Sequence, residues 1–315
     1  MAQAVIETQN LSKSYRTGNG EKLALDTLTL NVMQGEIFGY LGPNGAGKST
    51  TIRILMDLIR PSSGHATIFG QDVRTEAVNL HKRIGFMPGE LNLWPGQRGK
   101  NIVNYWSKVR GGVDTKFLNQ LVERLDLDLS LRTRDYSTGN KRKLGLVLAL
   151  MHQPDLLILD EPTSGLDPLM QQIFNELMRE WRDAGRTVFL SSHVLSEVQA
   201  ICDRVGILRG GQLKAVETVA KLTHADFRWV TLRFRDNAAS AVELANVPGA
   251  DNITTDGSTL RLSLSGDFDP LLRAVQSHYI LDVQVQEPTL EEIFLAFYED
   301  QPVHHNGHRG TVAVR

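Results

Sequence analysis

The 315-residue chain is long enough for one large domain or two ordinary ones, and 41% hydrophobic with 22% charged residues is a globular composition. Its formal net charge of -2 lacks the basic excess that accompanies nucleic-acid binding. The single cysteine, Cys202, excludes an internal disulfide and is expected to be a buried packing residue. No stretch approaches the ~20 apolar residues of a membrane-spanning helix, so we expect any membrane role to depend on another chain.

Short strands separated by turns are predicted at the start of the chain. Residues 4–7, 23–25 and 28–32 have the composition of strands, and a polar turn lies at residues 17–20. These strands predict a small antiparallel layer. A buried strand follows at residues 36–41.

A glycine-rich run follows that strand and fills every fixed position of the form G-x-x-x-x-G-K-[ST]. Its residues are Gly42, Pro43, Asn44, Gly45, Ala46, Gly47, Lys48, Ser49 and Thr50. In such a loop the backbone N–H groups surround phosphate oxygens, the lysine reaches the β and γ phosphates, and the serine hydroxyl can bind Mg²⁺. A helix is predicted at residues 51–59, ended by Pro61. The run therefore predicts binding of a nucleoside triphosphate.

Strands and helices alternate along the middle of the chain, with one interruption. Residues 64–70 and 84–87 are predicted strands, whereas residues from about 90 to 151 have amphipathic patterns and form a predicted helical insertion. Alternation resumes with the strand at 156–159, the helix around 173–181 and the strand at 187–190. This order predicts a mostly parallel sheet covered on both faces.

Two carboxylates end the strand at 156–159. A strand of a parallel sheet delivers its C-terminal residues to the crevice where ligands bind. Asp160 is therefore a candidate for Mg²⁺ binding, and Glu161 a candidate general base for an attacking water.

A second unit is predicted after residue 226. Its first six elements have the β-α-β-β-α-β order of a small ferredoxin-like domain. A last helix at 290–298 carries a capping box, Thr289 with Glu292, and an apolar face. Residues 301–315 are predicted to be a flexible tail rather than a metal site, because His304, His305 and His308 have no other ligand candidates beside them.

With these motifs together, the chain resembles the nucleotide-binding subunit of an ATP-binding cassette (ABC) transporter over about residues 4–222. The resemblance implies that Tyr15 stacks on adenine and that His193 contacts the γ-phosphate. Ser137 and Gly139 match the signature motif, which reaches the ATP of the opposite subunit. Asp167 matches the loop that crosses the dimer interface.

The sequence departs from the family pattern in two places. The family's Gln, whose amide senses Mg²⁺ and the attacking water, is replaced by Gly89, and Glu90 is an alternative if the loop shifts by one residue. The signature contains Thr138 and Asn140, followed by three cations at residues 141–143. Because the positive end of a helix disfavours cations, they either meet an incoming anion or form a solvated basic patch.

The resemblance implies an α/β fold: a P-loop NTPase core of the ABC ATPase type with an antiparallel layer and a helical insertion. The order of elements predicts a small α+β ferredoxin-like domain after it. The predicted domains are residues 4–225, 226–300 and the tail 301–315. The implied partners are ATP, Mg²⁺, a second cassette in a homodimer or paired cassette, and integral membrane permease subunits, with no nucleic acid. The implied location is the cytoplasmic face of the membrane, as a peripheral subunit.

The implied function is ATP hydrolysis that powers export, since the ending at residues 287–294 resembles that of bacterial drug and antibiotic exporters. Two alternatives stay open at this point. One is a soluble cassette ATPase that acts outside transport, and the other is a regulatory module that holds ATP without hydrolysing it.

Overall fold

The computed structural model describes residues 3–18, 20–223, 227–236, 244 and 247–286. The chain divides into two units, Met1–Val219 and Ala220–Arg315. Each unit has its own cluster of buried apolar side chains. Among the described residues, no helix combines the length and the apolar character needed to cross a bilayer.

The first unit alternates strands and helices. Its strands are β1 (Ala4–Thr17), β2 (Gly20–Met33), β3 (Ile37–Leu41), β4 (Ser63–Ile68), β5 (Gln71–Asp72), β6 (Ile84–Met87), β7 (Leu156–Asp160), β8 (Thr187–Ser192), β9 (Arg204–Arg209) and β10 (Gln212–Thr218). Its helices are α1 (Lys48–Leu55), α2 (Ala77–Arg83), α3 (Gly99–Val109), α4 (Thr115–Arg124), α5 (Thr138–Leu150), α6 (Pro168–Asp183) and α7 (Leu195–Ile201), with a 3₁₀ turn at Thr133–Asp135.

The predicted antiparallel layer is present as a four-stranded sheet in the order β2-β1-β4-β5. Its two long strands, β1 and β2, have 14 residues each and are longer than the apolar segments predicted. The ladder continues through exposed polar residues such as Glu21 and Lys22, paired with Arg16 and Tyr15. Backbone pairing therefore extends the strands beyond the apolar pattern, because ladder hydrogen bonds do not require buried side chains.

The central sheet has six strands in the order β10-β9-β3-β8-β7-β6. Five of them are parallel, and β10 pairs with β9 in the antiparallel direction. Every residue of β3, β7 and β8 is buried, as expected for strands covered on both faces. The register pairs Leu41 with Ser192 and Asp160 with Ser191, so the ends of these three strands meet at one edge.

Helix positions differ from the predicted ones at the ends. Helix α1 begins at Lys48 rather than at residue 51, and it ends at Leu55 before Asp57, whose φ of 51° lies in the left-handed region. The predicted insertion contains α3, α4 and α5. Helix α5 is buried almost throughout from Lys143 to Leu150, which agrees with its apolar sequence.

The second unit contains the strands β11 (Phe227–Phe234), β12 (Ala250–Asp256), β13 (Thr259–Ser265) and β14 (Ile280–Gln286), with the helix α9 (Asp269–Ala274). A short helix, α8 (Val219–Thr223), lies where the chain divides. The sheet order is β12-β13-β11-β14, and every pair is antiparallel. Of the predicted helix at 238–245 only Leu244 is described, so the ferredoxin-like domain stays a prediction. The predicted helix at 290–298 with its capping box and the predicted tail at 301–315 lie outside the described residues.

Candidate active site

The glycine-rich loop connects β3 to α1 at the C-terminal edge of the central sheet. Gly47 precedes the helix with φ 114°, and a Cβ there would lie 2.6 Å from the Ala24 carbonyl oxygen. Only glycine fits both the conformation and this close approach. The position explains why the motif requires a glycine immediately before its lysine.

Lys48 is buried and folds back over its own loop. Its Nζ donates to the carbonyl oxygens of Gly42 at 2.6 Å and Pro43 at 3.3 Å. Burial lowers the pKa of Lys48, and the charges of Glu161 and Asp160 oppose that shift. The ammonium group is thus partly desolvated and held by neutral carbonyls that an anionic phosphate would replace at a gain in electrostatic energy.

Glu161 lies between two candidate phosphate-contacting groups. Its Oε1 is 3.6 Å from Lys48 Nζ and 3.2 Å from His193 Nδ1. The backbone of Glu161 has φ 49°, a left-handed conformation that is uncommon for a residue with a side chain. Such strained residues concentrate at functional sites.

Asp160 is buried at the end of β7, and the neighbouring strand β8 holds it. Ser191 Oγ donates to Asp160 Oδ1 at 2.5 Å and accepts from the backbone N–H of Glu161 at 3.1 Å. One hydroxyl therefore orients the first carboxylate and anchors the backbone of the second. No motif in the sequence predicts this role of Ser191, and its position directly after a predicted core strand is the one signal that points to it.

Three cavities adjoin these groups and share Glu161 in their linings. The first, of about 250 Å³, is lined by Tyr15, Lys22, Ala24, Asn44, Gly45, Gly47, Lys48, Ser49, Thr50 and Glu161. The second, of about 340 Å³, includes Ser49, Gly89, Glu90, Asn92, Asp160 and Glu161 in its lining. The third, of about 150 Å³, includes Glu161, Ser164, Gly165, Ser192 and His193 in its lining. The structure thus brings most of the predicted site residues together.

The donors in the second cavity fit the predicted Mg²⁺. Ser49 contributes a hydroxyl and Asp160 a buried carboxylate to the same cavity. Oxygen donors of these two kinds are the ones that Mg²⁺ prefers. The residues present therefore suit the ion.

Six predicted site residues lie outside these linings: Gly42, Pro43 and Ala46 of the glycine-rich loop itself, and Ser137, Gly139 and Asp167. Ser137 is the N-cap of α5, where its Oγ accepts from Asn140 N at 3.2 Å, and Gly139 lies in the first turn of that helix. Asp167 is the N-cap of α6, where its Oδ1 accepts from Met170 N at 3.0 Å. Within one chain, the side chains of Ser137 and Asp167 begin helices.

Two of the three cations after the signature, Arg142 and Lys143, bind backbone carbonyls instead of meeting an anion or solvent. Arg142 donates to the carbonyl oxygens of Pro88 and Gly89, and the Nζ of Lys143 donates to that of Asp126 at 3.2 Å. Both side chains therefore satisfy backbone carbonyls. They form neither a solvated patch nor an open anion site.

The comparisons with known proteins agree with this geometry. The family model described as ABC transporter matches residues 25–164. The chain is 31% identical to the linearmycin resistance ATP-binding protein LnrL of Bacillus subtilis, over 92% of this chain and 97% of that protein. This chain belongs to the ABC transporter ATP-binding proteins. It is also 33% identical to the bacitracin transport ATP-binding protein BcrA of Enterococcus faecalis, over 92% of this chain and 95% of that one.

Solved structures show the same ABC fold. An ATP-binding subunit of an ABC transporter superposes with a TM-score of 0.63 at 28% identity, covering 69% of this chain and 91% of that one. The dimeric cassette MJ0796 superposes with a TM-score of 0.61 at 23% identity, covering 68% of this chain and 98% of that one. The predicted ABC ATPase fold is therefore confirmed for the first unit.

Proposed function

We propose that this ABC ATP-binding protein hydrolyses ATP as the motor subunit of an exporter. The observation that carries the proposal is the convergence of Lys48 and His193 on one carboxylate oxygen of Glu161, at 3.6 and 3.2 Å. This arrangement would place the ammonium group of Lys48, the carboxylate of Glu161 and the ring of His193 around the γ-phosphate of ATP.

The chemistry follows from the roles that these positions allow. Lys48 leaves its carbonyl partners and binds the β and γ phosphates. Glu161 accepts a proton from a water molecule, and the oxygen of that water attacks the γ phosphorus. The bond between the γ phosphorus and the β-γ bridging oxygen breaks. The products are ADP and inorganic phosphate. Tyr15, at the edge of the first cavity, offers a ring on which adenine stacks.

Mg²⁺, when bound, would neutralise charge on the β and γ phosphate oxygens. Ser49 and Asp160 are the residues that would hold it. The Ser191 hydroxyl keeps Asp160 in one orientation for that purpose. We propose the loop residues Gly42, Pro43, Asn44, Gly45, Ala46, Gly47 and Thr50 as the backbone of the phosphate site.

We propose further that two copies close around two ATP molecules. Ser137, Gly139 and Asp167, which lie at the starts of α5 and α6 and outside the three cavities, would act across the dimer. The solved MJ0796 cassette is dimeric, and the fold that this chain shares with it supports the same arrangement here. In this arrangement ATP joins the subunits and hydrolysis releases them.

The cargo and location are also proposals. LnrL is named for linearmycin resistance and BcrA for bacitracin transport, which supports export of an antibiotic-like compound. The translocation path would belong to separate membrane-spanning subunits, with this chain on their cytoplasmic face. We propose residues 4–225 as the ATP-binding domain, 226–300 as an accessory domain and 301–315 as a tail.

An aromatic cluster is the candidate contact for the membrane subunits. Trp94, Tyr105 and Trp106 are 47%, 50% and 38% exposed. Their rings stack edge to face at 5.2 Å and 5.7 Å between centroids. Contiguous exposed aromatic surface of this kind is typical of an interface.

The decisive experiment compares the purified chain with Glu161→Gln. We expect steady ATP turnover by the unchanged protein and a loss of about 10²-fold or more in the variant, which keeps ATP binding but lacks the base. The variant with ATP should form a stable dimer in gel filtration. Turnover that survives the substitution would refute the catalytic role, and a persistent monomer would refute the closed dimer.

Membrane association is tested by fractionating the source cells. We expect the tagged chain to sediment with membranes and the double substitution Trp94→Ala with Trp106→Ala to release it. Val78→Ala is the matched control, because Val78 is 75% exposed on α2, outside the aromatic cluster. Equal sedimentation of both variants would contradict the proposed contact.

A further inference from the structure

Arg142 connects the first turns of α5 to the loop that precedes the helical insertion. Its Nη1 donates to the Pro88 carbonyl oxygen at 3.2 Å and its Nη2 to the Gly89 carbonyl oxygen at 2.5 Å. The planar guanidinium thus holds two consecutive carbonyls in one geometry, which a flexible ammonium group does not do. We call this contact the Arg142 clamp.

The clamped loop packs against the candidate metal-binding carboxylate. A Cβ on Gly89 would lie 3.1 Å from Asp160 Oδ2 and 3.4 Å from Asp160 Cγ. The Gly89 backbone therefore lies beside Asp160, and a methyl group on Gly89 would require the carboxylate to move by a few tenths of an ångström. The Arg142 clamp therefore connects α5, through Gly89, to Asp160 in the candidate nucleotide site.

Helix α5 approaches the site from a second direction as well. A Cβ on Gly139 would lie 3.2 Å from the Gly165 carbonyl oxygen, and one on Gly165 would lie 3.0 Å from Thr138 Cγ2. Gly165 follows Glu161 in the segment that leads to α6. The first turns of α5 thus contact two segments near the Asp160–Glu161 pair. One is Pro88–Gly89, and the other contains Gly165.

The electrostatic setting agrees with these contacts. Burial lowers the pKa of Arg142, and Glu161 and Asp160 oppose the shift. Its charge therefore interacts with the two carboxylates while its hydrogen bonds go to neutral carbonyls. The positive end of the helix dipole disfavours a cation in the first turns of a helix, and the two hydrogen bonds to carbonyls offset that electrostatic cost.

We propose that Arg142 is a positioning residue that couples the signature end of α5 to Asp160 in the same subunit. The proposal rests on the proposed function, in which Ser137 and Gly139 reach the partner's ATP. When that ATP shifts α5, the clamp carries the shift to the Pro88–Gly89 backbone and from there to Asp160. The Gly89 backbone, held by Arg142, thus takes the sensing role of the family's Gln side chain, which Gly89 replaces in this chain.

The test compares Arg142→Met with Lys143→Met. Lys143 is a matched control, since it is a cation on the same helix that donates to a carbonyl, that of Asp126, away from the nucleotide site. For Arg142→Met we expect ATP binding unchanged, kcat lowered about tenfold to a hundredfold, and a higher Mg²⁺ concentration at half-maximal rate. Lys143→Met should keep both kinetic values, although its melting temperature falls.

Two further variants keep the proposal testable if Arg142→Met fails to fold. Arg142→Lys retains one donor group without the fork and should recover part of kcat. Gly89→Ala should lower kcat and raise the Mg²⁺ requirement with Arg142 intact, because its Cβ meets Asp160. Two results would overturn the proposed coupling. One is unchanged kcat and Mg²⁺ dependence in the Arg142 variants, and the other is an equal loss of kcat in Lys143→Met. Absence of turnover in the unchanged protein would instead overturn the proposed function and the clamp together.

Discussion

The Nζ of Lys48 lies 3.6 Å from Oε1 of Glu161, so the candidate phosphate-binding cation and the candidate base are neighbours in the same chain. Lys48 also donates to the carbonyls of Gly42 and Pro43. In the proposed function, Lys48 exchanges these carbonyl contacts for the phosphates of ATP.

Lys48→Met removes this exchange. Charge-assisted hydrogen bonds contribute about 1.5–3 kcal/mol, so we expect the Kd for ATP to rise about tenfold to a hundredfold. Fluorescence titration with a labelled ATP measures the change. Lys82→Met, a substitution of an exposed lysine on α2, is the control and should bind like the unchanged protein. Similar affinities for the two variants would contradict the phosphate role of Lys48.

Tyr15→Ala removes a ring from the lining of the first cavity. Because stacking of a base on an aromatic ring contributes about 1–3 kcal/mol, the affinity for ATP should fall at least several-fold. Tyr15→Phe keeps the ring and should keep the affinity. Competition by tripolyphosphate, which has no base, should be the same in both variants. A loss of affinity in Tyr15→Phe equal to that in Tyr15→Ala would exclude stacking as the cause.

Ser191→Ala removes the donor to Asp160 Oδ1 and the acceptor for the Glu161 N–H. We expect the Mg²⁺ concentration at half-maximal ATPase rate to rise about tenfold, since hydrogen bonds to charged groups contribute about 1.5–3 kcal/mol. Ser263→Ala is the control, because Ser263 is also buried and bonded, to Asn252 at 3.2 Å, but lies in the second unit. An unchanged Mg²⁺ requirement in Ser191→Ala would show that the hydroxyl does not orient Asp160.

His152 makes stability depend on pH. Burial, followed by the charge of Arg110, lowers its pKa to about 4, against a hydrogen bond to the Ile84 carbonyl that raises it. An unfolded histidine has a pKa of about 6.5, so the unfolded state binds the extra proton between the two values. The free energy of unfolding should therefore fall as the pH drops from about 6.5 to about 4.

Urea denaturation at pH 7.5 and pH 5 measures this effect. Because the His152 ring is only partly buried, we expect a loss of about 1 kcal/mol at pH 5 that is absent in His152→Asn. His65→Asn, at an exposed histidine on β4, is the control and should lose stability as the unchanged protein does. Identical pH profiles for all three proteins would contradict the assignment to His152.

Much of the fold was predictable because it depends on local patterns. The glycine-rich loop, the apolar runs of the buried strands β3, β7 and β8, and the apolar run of helix α5 can all be read from consecutive residues. The prediction failed where pairing decides structure. The strands β1 and β2 extend through polar residues because each supplies the other's hydrogen bonds. The antiparallel strand β10 depends in the same way on its partner β9.

The candidate site divides along the same line. The sequence by itself determined which chemical groups are available: a phosphate loop, two carboxylates after a buried strand, and a histidine after another. Only the tertiary structure decided that the ends of β3, β7 and β8 meet, that Ser191 holds Asp160, and that Arg142 reaches the Gly89 backbone. Arg142 and Gly89 are far apart along the chain, and a hydrogen bond between a side chain and a distant carbonyl leaves no periodic signal. The physical reason is that such contacts depend on how the elements pack, whereas the motifs depend on consecutive residues.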